Sequence, residues 1–373
     1  MKKLFKKLHL WLSLPLGIVI SITCFSGAML IFEKEITESL QRRYYYVDSV
    51  GDQTISFADA IASVEPMLGE DQRITGVVVS PDEERTWKVT LSSPKHAAVY
   101  VDQYSGEVLG RPERLSFFAT MFRLHRWLMD SRPQEKGAIY WGKMIVGVST
   151  LFCVIILLTG IVLWIPRSLN MWKNRSQISL RKGVRRFLYD FHVVGGIYCA
   201  LLVLAMALTG LTWSFEWYRN GVYNLFGAAS NAKSSSSVAR VNSDATSIYG
   251  KWEDVYHSVA ERYDSHGDIT LSDGTVSVKL NGIGNPRAAD KYHFDSATGE
   301  ILSVVPYADS SRRQKVGGWI YAIHVGNWGG VFTRILWFLA AMLGASLPIT
   351  GYYLWIKRTF VKRCNHSCDG CLN

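Results

Sequence analysis

Residues 192–216 read HVVGGIYCALLVLAMALTGLTWSFE, and residues 9–33 read HLWLSLPLGIVISITCFSGAMLIFE. Each stretch starts with a histidine, reaches a glycine 18 residues later and ends with a glutamate 6 residues beyond that glycine. Each is also apolar over the roughly 20 residues that a helix needs to cross a bilayer. The repeated spacing predicts an internally duplicated membrane unit.

A second pair of segments also repeats. Residues 159–167 read TGIVLWIPR, and residues 350–358 read TGYYLWIKR. The first glycine follows His125 by 35 residues and the second follows His324 by 27, so one copy carries a short insertion. Matched places in the two units are therefore occupied by four histidines: His9, His192, His125 and His324.

Four apolar segments are long enough to span a membrane, near residues 10–32, 141–165, 191–216 and 331–356. The lysine-rich start resembles the basic region of a signal peptide. The apolar run after it is long and lacks a small-residue cleavage site, so we expect residues 1–32 to be a retained anchor. The expected fold class is a helical membrane protein with four transmembrane helices and two external α+β modules.

The basic residues are concentrated in three short segments. Residues 1–9, 166–190 and 357–373 contain 4, 7 and 4 Lys or Arg, against only Asp190 and Asp369. The rest of the chain has 41 − 15 = 26 basic and 31 − 2 = 29 acidic residues. Short basic loops mark the cytoplasmic face, which predicts a bacterial cytoplasmic (inner) membrane protein with both termini inside. Anionic lipid accounts for charge at these positions, so nucleic-acid binding is excluded.

The two long intervals, 33–140 and 217–330, then face the opposite compartment. Neither contains a cysteine, so no disulfide framework is expected there. The first is predicted to form a helix at 57–64 and strands near 73–79, 86–91 and 97–102. The second is predicted to form a helix near 251–263 and strands near 268–271, 275–280 and 291–295. A serine-rich stretch at 233–237 is predicted to be a flexible linker.

Both intervals contain the turn pattern D-x-x-[ST]-G-E-[VI]-L, at residues 102–109 and 295–302. Together with Leu124-His125-Arg126-Trp127-Leu128, with His192 followed by Gly195-Gly196, and with the Thr350–Trp355 segment, this turn resembles the PepSY-associated transmembrane family over nearly the whole chain. Members of that family include inner-membrane reductases that bind two haems and reduce iron carried by siderophores. The resemblance implies an oxidoreductase of this kind.

The topology places the four histidines at two depths. His9 and His192 begin helices at the cytoplasmic side, and His125 and His324 precede helices at the external side. A spanning helix is about 30 Å long, so the histidines are expected to pair within a layer. Two facing imidazoles suit a six-coordinate haem iron. No C-x-x-C-H occurs, so two b-type haems are expected.

Other readings of these residues stay open. A histidine at a membrane interface also serves as a hydrogen-bonded anchor, and duplication copies structural residues as well as ligands. Small residues near the inner histidines, Gly17, Gly195 and Gly196, are expected to let a flat macrocycle approach the backbone. Three arginines are expected near the outer pair: Arg123, Arg126 and Arg334. They would bind haem propionates or an anionic ligand, and anchoring at the membrane interface is the alternative role.

The carboxyl tail contains Cys364, Cys368 and Cys371, with His366 between the first two. Three thiols and one histidine could hold zinc or an iron–sulfur centre. The alternative is that the tail binds no metal and has no redox role. His96, His257, His266 and His293 lie in the external intervals without matched partners and are expected at the surface or in strands.

The first functional hypothesis is a di-haem electron-transfer protein that reduces ferric iron in siderophores or other chelates on the periplasmic side. No G-x-G-x-x-G follows a strand in the cytoplasmic segments, so the electron donor is expected to be another protein, a quinol or a diffusible reductant. The alternative is a non-enzymatic membrane scaffold or sensor whose external modules bind a protein or ligand. Few charges lie inside the membrane segments, which disfavours a transporter.

Overall fold

The computed structural model describes residues 2–94, 97–133, 138–166, 172, 175–228 and 245–359. The serine-rich stretch at 233–237 and the tail with Cys364, Cys368 and Cys371 lie outside the described residues. The chain divides into two compact units, which we call the helical unit and the sheet unit. The helical unit contains Met1–Glu33, Ser116–Leu225 and Ile320–Asn373, and the sheet unit contains Lys34–Leu115 and Phe226–Trp319.

Within the described residues, the helices are in chain order α1 (Lys2–Leu30), α2 (Glu33–Leu40), α3 (Arg42–Tyr45), α4 (Phe57–Val64), α5 (Ser116–Trp127), α6 (Trp141–Trp164), α7 (Val184–Asp190), α8 (Gly196–Ser214), α9 (Glu216–Leu225), α10 (Ala245–Ala260), α11 (Arg312–Val325) and α12 (Gly330–Thr359). A π turn at Phe191–Gly195 joins α7 to α8. Short 3₁₀ turns lie at Glu65–Met67, Tyr307–Asp309 and Asn327–Gly329.

Among the described residues, four helical stretches are long and apolar enough to cross a membrane: Lys2–Leu30, Trp141–Trp164, Val184–Ser214 and Asn327–Thr359. They match the four segments expected from hydropathy. The first extends to Lys2 because lysine and leucine both favour helix, so the basic start continues the helix. The chain is therefore a helical protein with the spans of a multi-pass membrane protein.

The long helices form a ring. Helices α6 and α12 each pack against both α1 and α8, so α1 and α8 lie across the bundle from one another. Gly17 permits the close α1–α12 contact, since a Cβ there would lie 2.7 Å from the Tyr352 hydroxyl and 3.0 Å from Pro348 Cβ. Tyr352 donates a hydrogen bond of 2.5 Å to the Leu14 carbonyl. Gly17 thus serves helix packing, and our expectation that it faces a macrocycle was wrong.

Among its described residues, the sheet unit contains one antiparallel sheet of eight strands. The strands are β1 (Ile74–Val79), β2 (Trp87–Leu91), β3 (Ala98–Val101), β4 (Val108–Gly110), β5 (Ile269–Ser272), β6 (Thr275–Lys279), β7 (Ala289–Phe294) and β8 (Ile301–Val305). Their order is β4-β3-β2-β1-β5-β6-β7-β8. The sequence patterns indicated six of these strands and missed β4 and β8, the short strands that follow the two D-x-x-[ST]-G-E turns.

The strands of the two external intervals do not form two separate sheets, as two modules would imply. They join where β1 pairs with β5, with Val77 opposite Leu271 and Val78 opposite Thr270. The free edges of β1 and β5 satisfy each other's main-chain hydrogen bonds at this seam. The two intervals therefore share one continuous sheet.

Alternating apolar residues on one face of the sheet form the core with α4 and α10. Phe57, Ile61, Trp252 and Val255 are buried there against the valines and leucines of the strands. Ser56 caps α4 by accepting a hydrogen bond of 3.1 Å from the Asp59 amide. This packing follows directly from period-two burial in the strands and the apolar faces of both helices.

Candidate functional site

Two histidines face each other in the part of the bundle nearest the amino terminus. His9 lies in α1, and His192 lies in the π turn that precedes α8. Their ring centres are 6.4 Å apart and the rings are nearly perpendicular, at 89°. Because α1 and α8 lie across the bundle, this inner pair points into its interior.

The outer pair is formed by His125 and His324, whose ring centres are 6.0 Å apart at an interplanar angle of 51°. Each lies in the last turn of a short helix, α5 or α11. After α5, Leu128 and Met129 take positive φ of 50° and 68°, and after α11 Gly326 takes a φ of 74°. These turns reverse the chain toward the long helices α6 and α12.

The structure therefore brings together the same partners that the topology predicted within each layer. The two layers are also equally spaced in both repeats. His125 bonds to the Thr23 carbonyl, 23 − 9 = 14 residues after His9, and His324 bonds to the Met206 carbonyl, 206 − 192 = 14 residues after His192. Fourteen helical residues rise about 21 Å, which is the approximate separation of the layers.

All four histidines direct Nδ1 at a main-chain carbonyl of a neighbouring helix. The acceptors are Ile156 for His9 at 3.0 Å, Leu347 for His192 at 3.0 Å, Thr23 for His125 at 2.9 Å and Met206 for His324 at 3.0 Å. A carbonyl oxygen can only accept, so Nδ1 carries the hydrogen and donates it. The lone pair of each neutral ring is then on Nε2, the nitrogen left to bind a metal.

A glycine lies four residues after each of these carbonyls, where the imidazole rests on the helix. An added Cβ would lie 2.7 Å from His125 Cε1 at Gly27, 3.1 Å from His324 Cε1 at Gly210, and 3.3 Å from the Cε1 atoms of His9 and His192 at Gly160 and Gly351. The glycine thus lets the ring reach the carbonyl of the preceding turn. We call each carbonyl and glycine together a histidine seat.

In three seats a threonine hydroxyl stands beside the carbonyl. Nδ1 lies 3.1 Å from Thr159 Oγ1 for His9, 3.0 Å from Thr350 Oγ1 for His192 and 3.1 Å from Thr209 Oγ1 for His324. In the fourth seat the hydroxyl belongs to Ser26, which donates to the Thr23 carbonyl at 3.2 Å and to the Ile22 carbonyl at 2.6 Å. The Thr-Gly and Ser-Gly pairs that repeat in the sequence are therefore the surfaces that orient the histidines.

The outer pair lies beside a positive charge. Arg126 follows His125 and its guanidinium lies 5.7 Å from the centre of the Phe122 ring and 5.8 Å from that of Trp127. No carboxylate among the described residues pairs with Arg126. Burial lowers the pKa of both His125 and His324, and the Arg126 charge lowers them further, so both imidazoles are neutral at neutral pH.

The other two arginines considered near this pair have protein partners. Arg123 donates to the Met129 carbonyl at 3.1 Å and so stabilises the chain reversal after α5. Arg334 donates to the Ile31 carbonyl, and its guanidinium lies 4.9 Å from the Phe32 ring centre. Trp213 also packs beside the outer pair, with its ring centre 5.0 Å from that of His324.

The spacing of each pair fits two axial imidazoles of one haem iron. Two metal–nitrogen bonds of about 2 Å, with about 1.1 Å from each nitrogen to its ring centre, separate the centres by about 6 Å. The observed separations are 6.4 and 6.0 Å. Hydrogen bonds from Nδ1 to carbonyl oxygens are the usual way that a ligating histidine is oriented. At Gly195 and Gly196 the nearest atoms to an added Cβ are those of Leu343 and Leu347, 3.8 Å away.

Comparison with known proteins supplies the family. No curated protein matches this chain. The family model described as the PepSY-associated TM region matches residues 6–358, which include all four histidines and nearly the full length of the four membrane-length helical stretches found among the described residues. This chain therefore belongs to the family of PepSY-associated transmembrane proteins.

Proposed function

We propose that this protein is a di-haem oxidoreductase that carries electrons across a bacterial cytoplasmic membrane to ferric iron in siderophores or other chelates. The observation that carries the proposal is the geometry of the histidines. Two pairs have the ring-centre spacing of bis-imidazole ligation, and every Nδ1 is bonded to a carbonyl, which leaves every Nε2 free.

Each residue of the site has a defined task in this proposal. His9 and His192 would hold the inner haem, and His125 and His324 the outer one. Haem iron, when bound, accepts and releases single electrons at a potential that its ligands and surroundings set. The histidine seats orient the imidazoles, and the apolar helices around them exclude water and ions.

The charge on the chain supports a direction of electron flow. The exposed residues Lys6 and Lys7 lie within three residues of His9 in the chain. The exposed Arg185 lies seven residues before His192. Short basic segments stay in the cytoplasm, so the inner pair would receive electrons there. The outer pair lies on α5 and α11, the helices that lead from the sheet unit into α6 and α12, and would deliver electrons on the periplasmic side.

The substrate class rests on the family resemblance and on Arg126. The Arg126 guanidinium, which pairs with no carboxylate among the described residues, would attract an anionic ferric chelate or hold a haem carboxylate. Electron transfer to a chelate in contact with the site needs no catalytic acid or base. The donor would be a protein, a quinol or a small reductant, as expected from the sequence.

An absorption spectrum of the purified protein and its single variants tests the proposal. With adequate haem supply we expect two haems per chain. His125→Ala and His324→Ala should each remove the same haem component and leave the other largely intact, because the layers are about 21 Å apart. His9→Ala and His192→Ala should both remove the second component.

The matched control is His257→Ala, which replaces a well-exposed histidine of α10 in the sheet unit. It should keep both components. A protein without haem would contradict the proposal, and so would loss of one and the same component in His9→Ala and His324→Ala. Rapid mixing of the reduced protein with a ferric chelate then tests the substrate, since a scaffold or sensor would not be reoxidised.

A further inference from the structure

A group of oxygen donors in the sheet unit has no role in the proposal above. Tyr263 follows α10, and Asp290 and Tyr292 lie on β7. The Tyr263 hydroxyl donates to Asp290 Oδ2 at 2.7 Å and lies 2.8 Å from the Tyr292 hydroxyl. The other Asp290 oxygen accepts a hydrogen bond of 2.7 Å from the Tyr307 amide, which orients the carboxylate. The Tyr263 hydroxyl thus contacts the oxygens of both other residues.

The fold does not require these polar residues. Strands β3 and β7 lead into matching turns, in which Asp102 and Asp295 each accept two amide hydrogen bonds and Gly106 and Gly299 take φ of 75° and 76°. Counting back from each turn aspartate, Asp290 corresponds to Ala97 and Tyr292 to Val99.

The strand of the first interval therefore builds the same structure with alanine and valine. Val99 is fully buried in the core, whereas Tyr292 brings a phenol to the equivalent place with only 5% of its surface exposed. Placing a phenol and a carboxylate there costs desolvation free energy that the apolar pair avoids. Such a departure from the local pattern marks a functional site more often than a structural one.

We propose that Tyr263, Asp290 and Tyr292 form a binding site for ferric iron. Two phenolates and one carboxylate carry three negative charges, which balance a trivalent cation and would overcompensate a divalent one. Binding breaks two phenolic O–H bonds and releases both protons to solvent as the oxygens bind the metal. The inference rests on the proposed function for its choice of metal, since ferric iron is the substrate there.

The spacing of the oxygens suits such an ion. Neighbouring ligands of an octahedral ion with metal–oxygen bonds of about 2 Å lie about 2.8 Å apart. The two measured oxygen separations are 2.7 and 2.8 Å. Calcium and magnesium prefer carboxylate, carbonyl and water ligands instead.

The surroundings leave room for further ligands. Tyr263 and Asp290 are only partly buried, so solvent or a chelate can reach the group. The His266 ring centre lies 6.3 Å from that of Tyr263, and His266 Nδ1 bonds to the Gly267 carbonyl at 2.7 Å, which leaves Nε2 available. Arg262 stands 5.6 Å from the Tyr292 ring centre and supplies a positive charge for an anionic chelate.

Gallium(III) is the probe that tests this site, because it has the charge and donor preference of ferric iron and undergoes no reduction. The full-length protein would be titrated with gallium nitrilotriacetate, followed by the ultraviolet difference band of ionised tyrosine and by the gallium retained after desalting. We expect about one gallium per chain with tyrosinate formation. Tyr263→Phe and Asp290→Asn should each weaken binding about tenfold or more.

The control is Tyr256→Phe, which changes a tyrosine on α10 that packs against the Phe57 ring and should bind gallium as the unaltered protein does. Haem content, measured on the same samples, reports whether the proposed function holds independently of this site. Retained gallium without a tyrosinate band would overturn the inference. Equal binding by Tyr263→Phe and the unaltered protein would overturn it as well.

Discussion

At the scale of single residues, one hydrogen bond decides what each histidine can do. Nδ1 of His192 donates to the Leu347 carbonyl, and the other three histidines make equivalent bonds. The proton is thereby assigned to Nδ1 and the lone pair to Nε2. Sequence patterns do not reveal this bond because its acceptor is a main-chain carbonyl, which every residue possesses.

Arg126 is the residue whose charge bears on the outer pair. A positive charge stabilises the reduced iron, so Arg126→Gln should lower the midpoint potential of the outer haem by on the order of tens of millivolts. The potential of the inner haem should change little, because the layers are about 21 Å apart. A potentiometric titration that resolves the two haems measures both values.

Arg123→Gln provides the comparison, since Arg123 lies on the same helix and is exposed. It should leave the potential of the outer haem near that of the unaltered protein. A rise in this potential in Arg126→Gln, or an equal fall in both variants, would contradict the role assigned to Arg126.

At the scale of secondary-structure elements, each membrane helix contributes to the seats in a regular way. α1 and α8 present a seat for an outer histidine, Gly27 or Gly210, while α6 and α12 present a seat for an inner one, Gly160 or Gly351. The repeated interval from histidine to glycine, 18 residues, thus connects an inner histidine to the seat of an outer histidine along the same membrane-length helical stretch. The helical rise converts that interval into a fixed separation of the layers.

Substitutions at the seats should differ in severity according to the space available. Gly27→Ala would place Cβ 2.7 Å from the His125 ring, whereas Gly160→Ala would place it 3.3 Å from the His9 ring. We therefore expect Gly27→Ala to lose most of the outer haem and Gly160→Ala to keep much of the inner haem. Haem stoichiometry and the absorption spectrum of each variant measure the difference.

Gly221→Ala serves as the control, because no atom lies within 4 Å of a Cβ added at this position of α9. Both haems should remain in this variant. The explanation of the seats fails if Gly27→Ala binds outer haem as fully as Gly221→Ala does.

At the scale of the whole molecule, one seam joins the two external intervals. A Cβ at Gly76 on β1 would lie 2.2 Å from the Leu271 carbonyl oxygen on β5, so Gly76→Ala forces the strands apart. We expect this change to destabilise the sheet unit by about 1–3 kcal/mol, as overpacking typically does. Chemical unfolding followed by tryptophan fluorescence measures the loss, and the haem spectrum should be unchanged.

Gly69→Ala tests whether any added methyl group in the sheet unit has the same effect. Its nearest neighbour is the Gln72 side chain, 3.8 Å away, so its stability should be close to that of the unaltered protein. Equal stability of Gly76→Ala and Gly69→Ala would contradict this prediction, because it would show that β1 and β5 can move apart without loss of stability.

The elements themselves followed from local patterns. Long apolar runs predicted the membrane helices, and alternation such as that of β2, from Trp87 to Leu91, predicted strands. The strands β4 and β8 were missed because each offers little alternation of polar and apolar residues after its turn. The pairing of β1 with β5 was missed too. Strand edges pair through main-chain N–H and C=O groups, which do not depend on the residue type.

For the sites, matched spacing and membrane topology determined which histidines belong to which layer, because helical rise and bilayer thickness leave no other pairing. Only the tertiary structure showed the seats that orient the imidazoles, the position of the Arg126 charge beside the outer pair and the meeting of Tyr263 with Asp290. Each of these depends on contacts between segments far apart in the chain. Such contacts are decided by how helices and strands pack, whereas topology and secondary structure are decided by the order of polar and apolar residues.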